Sequence, residues 1–162
     1  MSPRADALSV DVLVESRAWD AQPGAEATVR RAIAEAARAT GTGDGEVAVM
    51  LADDAAVRDL NRRWRGTDAP TNVLAFPATP SPGAPKRWGD IAIAYETSAA
   101  EAVAEAKRFD HHLSHLAVHG FLHLLGHDHT ALAEAEAMER IERAILVRLD
   151  VPDPYAAGNE RT

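Results

Sequence analysis

Residues 119 to 129 read HGFLHLLGHDH, four histidines and an aspartate on an apolar background. Nothing else in the chain restricts its fold as strongly. His119 and His123 are four residues apart, so on a helix their imidazoles leave the same face one turn apart. There they can share one metal ion through bonds of about 2.0–2.1 Å. His127 and His129 are both candidates for a third ligand. On a straight helix His127 would lie about 12 Å along the axis from His119, too far for one ion. Gly126 offers the alternative, because a glycine ending a helical run takes up the left-handed conformation and turns the chain. That turn can bring His129 back to the site. Three neutral nitrogens with an open fourth position describe a catalytic zinc centre rather than a closed structural one.

The 162 residues hold no cysteine, so neither a thiolate nucleophile nor a cysteine-ligated metal is possible. The length suits one domain, 1–162, with a proline-rich loop at 78–88 and a tail at 156–162. No apolar run reaches the roughly 18 residues of a membrane span, and the N-terminus lacks a signal-peptide pattern, so a soluble, cytoplasmic protein is expected without a membrane partner. The net charge of −8 argues against sequence-blind adhesion to nucleic acid, leaving room only for a local basic patch.

Alternation and β-branched residues predict strands at 8–14, 46–51, 71–77 and 89–95. Helices are predicted from 27 to 41, where Gly41 stops the run, from 54 to 66 behind the cap Asp53, and from Ser98 through a capping box with Glu101. A further helix over 111–125 carries the histidines, and a last one runs through Met138, Ile141, Ile145 and Leu149. The expected fold is α+β: one domain with a mixed sheet of about four strands, helices on one side, and a metal-binding helix followed by a glycine turn.

The spacing is also that of the zinc-protease motif H-E-x-x-H-x-x-G-x-x-H, in which the glutamate is the general base. Here position 120 is glycine, so the protease base is missing. The cluster instead resembles the HGxLHLxGYDH signature of the YbeY family, bacterial metal-dependent endoribonucleases that mature ribosomal RNA. LNRRWRGTDAPTNVLAFP (60–77), WGDIAIA (88–94), HLSHLAVHG (112–120) and MERIERAILVRLDVPDPY (138–155) are similar to further blocks of that family. Ala75, Trp64 and His127 depart from its usual serine, tyrosine and tyrosine.

The resemblance implies one zinc per chain on His119, His123 and His129, with His127 as a competitor, and Arg65 as an active-site arginine. Arginine's planar fork suits a scissile phosphate. It implies a single-strand-specific endoribonuclease of 16S rRNA 3′-end maturation and small-subunit quality control, with a small-subunit ribosomal protein and an assembly GTPase as partners. His115 and Asp128 are candidates for orienting a ligand or passing a proton. Arg62 and Arg63, beside Arg58 and Arg65, are candidates for RNA binding; Lys86 and Arg87 are weaker ones. Asn72 and Asp90 are expected to fix loops, and His112 to be structural. Two other readings stay open: a metallohydrolase acting on peptides, and a non-catalytic ribosome-assembly factor with structural zinc.

Overall fold

The structure, a computed structural model, describes residues 8–79, 82–83, 86–127 and 131–155. Its strands β1 (Leu8–Val14), β2 (Gly45–Ala52), β3 (Val73–Pro77) and β4 (Arg87–Ala94) form one sheet in the order β1-β2-β4-β3. The first three positions in that order run parallel, and β3 lies antiparallel to β4 at the edge. Helix α1 (Ala25–Thr40) joins β1 to β2, the long crossover that a parallel pair requires. A short 3-10 helix (Arg17–Ala21) precedes α1, and helices α2 (Asp54–Arg65), α3 (Tyr95–Ala104), α4 (Phe109–Leu124) and α5 (Leu132–Arg148) complete the described elements.

Side-chain alternation gives the sheet two apolar faces. Val47, Val49, Leu51, Ile91 and Ile93 meet Val29 and Ile33 of α1 and Leu113, Ala117 and Phe121 of α4. Met50, Ala52, Ala92 and Ala94 face the other way, where Val57 and Leu60 of α2 pack. Helices therefore lie on both faces, not on one as expected. The physical reason is visible in β2 and β4, whose near-continuous apolar runs GEVAVMLA and IAIA suit strands covered twice.

The α4 helix is buried along most of its length, from His112 to Leu124, because α1, the sheet and α5 each cover part of it. A helix apolar nearly all round needs such multiple cover. Its C-terminus turns as expected: Gly126 has φ +98°, and His127 N–H donates to Leu122 O at 3.1 Å. The predicted cap also holds at α2, where Asp53 accepts from Ala56 N at 2.9 Å.

The capping box at Ser98 does not form. The β4 strand runs directly into α3, and Ser98 is buried inside the helix. The cap comes from α2 instead: Asp54 accepts from Thr97 N (3.0 Å) and Thr97 Oγ1 (2.8 Å), while Glu96 accepts from Asp54 N.

Candidate metal centre and cleft

On α4 the Nε2 atoms of His119 and His123 face each other across 3.1 Å. Two nitrogens bound tetrahedrally to one zinc sit about 3.3 Å apart, so this donor pair suits a shared ion. The opposite nitrogen of His119, Nδ1, lies 2.5 Å from Oε2 of Glu142 on α5. A carboxylate accepts only, so Nδ1 is the donor to Glu142 and Nε2 is the ring nitrogen turned toward a metal. A carboxylate behind a ligating imidazole is the arrangement that fixes its tautomer and ring orientation.

Glu142 is completely buried. Its Oε1 accepts from the Tyr155 hydroxyl and lies 3.5 Å from His115 Nε2. Burial pushes the Glu142 carboxyl up, but hydrogen bonds from His115 and His119 outweigh that and bring it to about 2. Burial first, then the bond to this carboxylate, push the Tyr155 phenol well above its usual range, so it stays a donor. Neither Glu142 nor Tyr155 was singled out from the sequence. A signal existed, because Glu142 interrupts the buried stripe of Met138, Ile145 and Leu146 on α5. A charge on an apolar face is rarely buried without a partner.

His115, His119 and Glu142 form a group whose ligand atoms lie within 4.8 Å of one another, and such a group can hold a metal ion. This arrangement would use Nδ1 of His119, whereas the pair with His123 uses Nε2. The two differ in access. Glu142 is sealed from solvent and already engaged by Tyr155, while His119 and His123 line an open cleft of about 750 Å³.

Arg65, exposed at the end of α2, lines the same cleft, as do Asn72 and His127. Arg62 and Arg63 do not line it; both pair with Asp59. Arg58 forms a two-bond pair with Asp68, which raises its own affinity for a proton and lowers that of the carboxyl. Arg87 bonds Asp90 at 2.8 Å, and Lys86 lies over the Trp88 ring. His112 is buried, with Nε2 2.8 Å from Glu101. Asp128 and His129 lie outside the described residues.

Gly120, in the place of the protease glutamate, is where α4 touches the sheet. A Cβ there would stand 3.0 Å from Ile91 Cγ2 and 3.3 Å from Val73 Cγ2. A side chain at this position must therefore displace Ile91 and Val73 by a few tenths of an ångström, so glycine suits the close approach of α4 to β3 and β4.

A model of the endoribonuclease YbeY family matches residues 14–150, the span that holds Arg65, the histidine cluster and Glu142. The chain belongs to the endoribonuclease YbeY family. It is 59% identical over 155 residues to the endoribonuclease YbeY of Rhodopseudomonas palustris strain BisB18, covering 91% of this chain and 92% of that protein. With the endoribonuclease YbeY of Nitrobacter hamburgensis it shares 57% over 156 residues, 91% of this chain and 82% of the relative. A solution structure from Thermotoga maritima has the same fold, with a TM-score of 0.54 at 22% identity over 87% of this chain and 91% of that one. No helix among the described residues is long and apolar enough to cross a membrane.

Proposed function

We propose that this YbeY-family chain is a zinc-dependent endoribonuclease that cuts single-stranded RNA, acting on the 3′ end of 16S rRNA during maturation and in small-subunit quality control. Family membership supports the endoribonuclease activity. The observation that carries the site is the shared cleft: His119 and His123 present facing Nε2 atoms, with Arg65 on the wall beside them. His129 is proposed as the third ligand, and the His115–His119–Glu142 group, with its buried carboxylate, as the support behind it. The ribosomal protein, the assembly GTPase and the cytoplasmic location belong to the same reading and rest on family likeness.

A zinc ion held by His119, His123 and His129 would supply Lewis acidity toward a phosphate ester and toward water. The protein's own residues do the rest. Arg65 grips the scissile phosphate and offsets charge gathering on it in the transition state. Glu142 keeps the proton on His119 Nδ1, and Tyr155 holds Glu142. Peptide hydrolysis is disfavoured because Gly120 supplies no carboxylate where zinc proteases place their general base.

Arg65→Ala should keep zinc and fold but lose single-turnover cleavage of a short RNA by about 10²-fold or more, comparable to removing one preorganised oxyanion donor. Arg65→Lys should recover little, since an ammonium cannot pair with two oxygens in one plane. Cleavage by Arg65→Ala at the parent rate would reduce Arg65 to a helix-end charge. In the same preparations His123→Ala and His129→Ala should lose zinc by elemental analysis. Full zinc in both would refute the ligand set, and loss in His127→Ala instead of His129→Ala would move the third ligand. Casein should survive the parent protein.

A further inference from the structure

Asn72 precedes β3 and is anchored there, its backbone carbonyl accepting from Ala94 N at 2.9 Å. Asn72 lines the cleft shared by Arg65, His119 and His123, and also the neighbouring pocket that holds Glu101 and His112. Nδ2 donates to both carboxylate oxygens of Glu101, at 3.0 and 3.3 Å. A carboxylate has no proton to give, so the amide nitrogen, not the oxygen, must face Glu101. Glu101 is held in turn, because buried His112 places Nε2 2.8 Å from the same Oε1. His112 sits two turns before His119 on α4. A polar chain thus runs from the cleft wall to the helix that carries the metal ligands. Among the described residues no other hydrogen bond engages the Asn72 carboxamide.

The outcome is an amide whose nitrogen is fixed on Glu101, which leaves Oδ1 as the acceptor of a residue on the wall shared with Arg65, His119 and His123. A phosphate oxygen accepts only, so it is no partner for Oδ1. The hydroxyl that recurs along an RNA strand is the ribose 2′-OH, a donor that DNA lacks. We propose that Asn72 is a specificity-determining residue whose Oδ1 accepts a hydrogen bond from a ribose 2′-hydroxyl, with Glu101 and His112 as positioning residues that hold the carboxamide. This rests on the reading of the cleft as the site of RNA cleavage.

The test is single-turnover cleavage of a short single-stranded RNA by zinc-loaded protein, with one 2′-deoxynucleotide walked through the strand. In the parent, one position near the cut should slow cleavage about tenfold, the effect of one lost hydrogen bond. Asn72→Ala should cut the all-ribose strand about tenfold more slowly, and the deoxy position should then cost nothing more. Glu101→Gln retains an oxygen that can accept from both Asn72 and His112, so it should keep the parent's discrimination. Glu101→Leu frees the carboxamide without touching residue 72 and should lose it, which keeps the test decisive should Asn72→Ala fail to fold. Zinc content and far-UV circular dichroism should match the parent in each folded variant. A deoxy penalty in Asn72→Ala or Glu101→Leu equal to the parent's, or no penalty in the parent, overturns the assignment of Asn72 alone. Parent-rate cleavage by His123→Ala overturns the cleft reading and this assignment with it.

Discussion

At the scale of single residues, the candidate site divides into what spacing reveals and what only packing reveals. The i, i+4 histidines and the glycine turn are local patterns, so His119, His123 and Gly126 were legible along the chain. Glu142 is 23 residues beyond His119, and its role depends on how α5 lies against α4, which no local pattern encodes. Its replacement tests that role. Glu142→Ala should weaken zinc binding about 10- to 100-fold, the usual effect of losing the partner behind a ligating imidazole. Competition with a chromophoric chelator measures this, and parent affinity in the variant would detach Glu142 from the metal site. A pH dependence follows as well. In metal-free protein Glu142 is lowered from an ordinary value near 4.5 to about 2. A carboxyl lowered on folding contributes stability that is complete above its unfolded value and is lost as pH falls through its folded value. That window runs from 4.5 down to about 2, and corresponds to about 3 kcal/mol. Urea titrations of the metal-free parent and Glu142→Gln should converge as pH falls through the window. A constant difference between them would show that Glu142 is not held as an anion.

At the scale of elements, helix and strand identity followed from periodicity, while boundaries and caps followed from neighbours. The Ser98–Glu101 pattern pointed to a cap, but Asp54, some forty residues upstream, satisfies Thr97 instead. That frees Glu101 to face Asn72 and His112. The α4 helix shows the same competition from the other side. Glycine is a poor helix former, at roughly 1 kcal/mol below alanine, yet Gly120 sits in the middle of α4 because Ile91 and Val73 press against it. Gly120→Glu should therefore destabilise the protein by about 1–3 kcal/mol through overpacking at its Cβ. Urea denaturation measures the loss. Near-parent stability with new casein hydrolysis would restore the protease reading.

For the whole molecule, the mixed four-stranded sheet was expected, but its order β1-β2-β4-β3 was not predicted. The antiparallel insertion of β3 at the edge leaves no trace in alternation. The same apolar runs that hid the second covered face explain why α2 was not placed opposite α1 and α4. This architecture bears on what the metal does. The main core draws on α1, the sheet, α4 and α5, and includes Phe121, Ile33, Leu51, Ile91 and Ile145, all essentially inaccessible to water. The fold around the histidines is thus closed by apolar packing on several sides, unlike a zinc finger, whose folding energy is largely its metal's. Removing zinc by chelation should leave far-UV circular dichroism and cooperative unfolding intact. It should lower the melting temperature only by the linkage term, which shrinks as free zinc approaches the dissociation constant. RNA cleavage should vanish and return on adding zinc. Loss of secondary structure on chelation would instead make the ion a structural element and favour the non-catalytic assembly factor over the nuclease. The open cleft in front of His119 and His123 argues for the first outcome, because a structural ion needs no cavity before it.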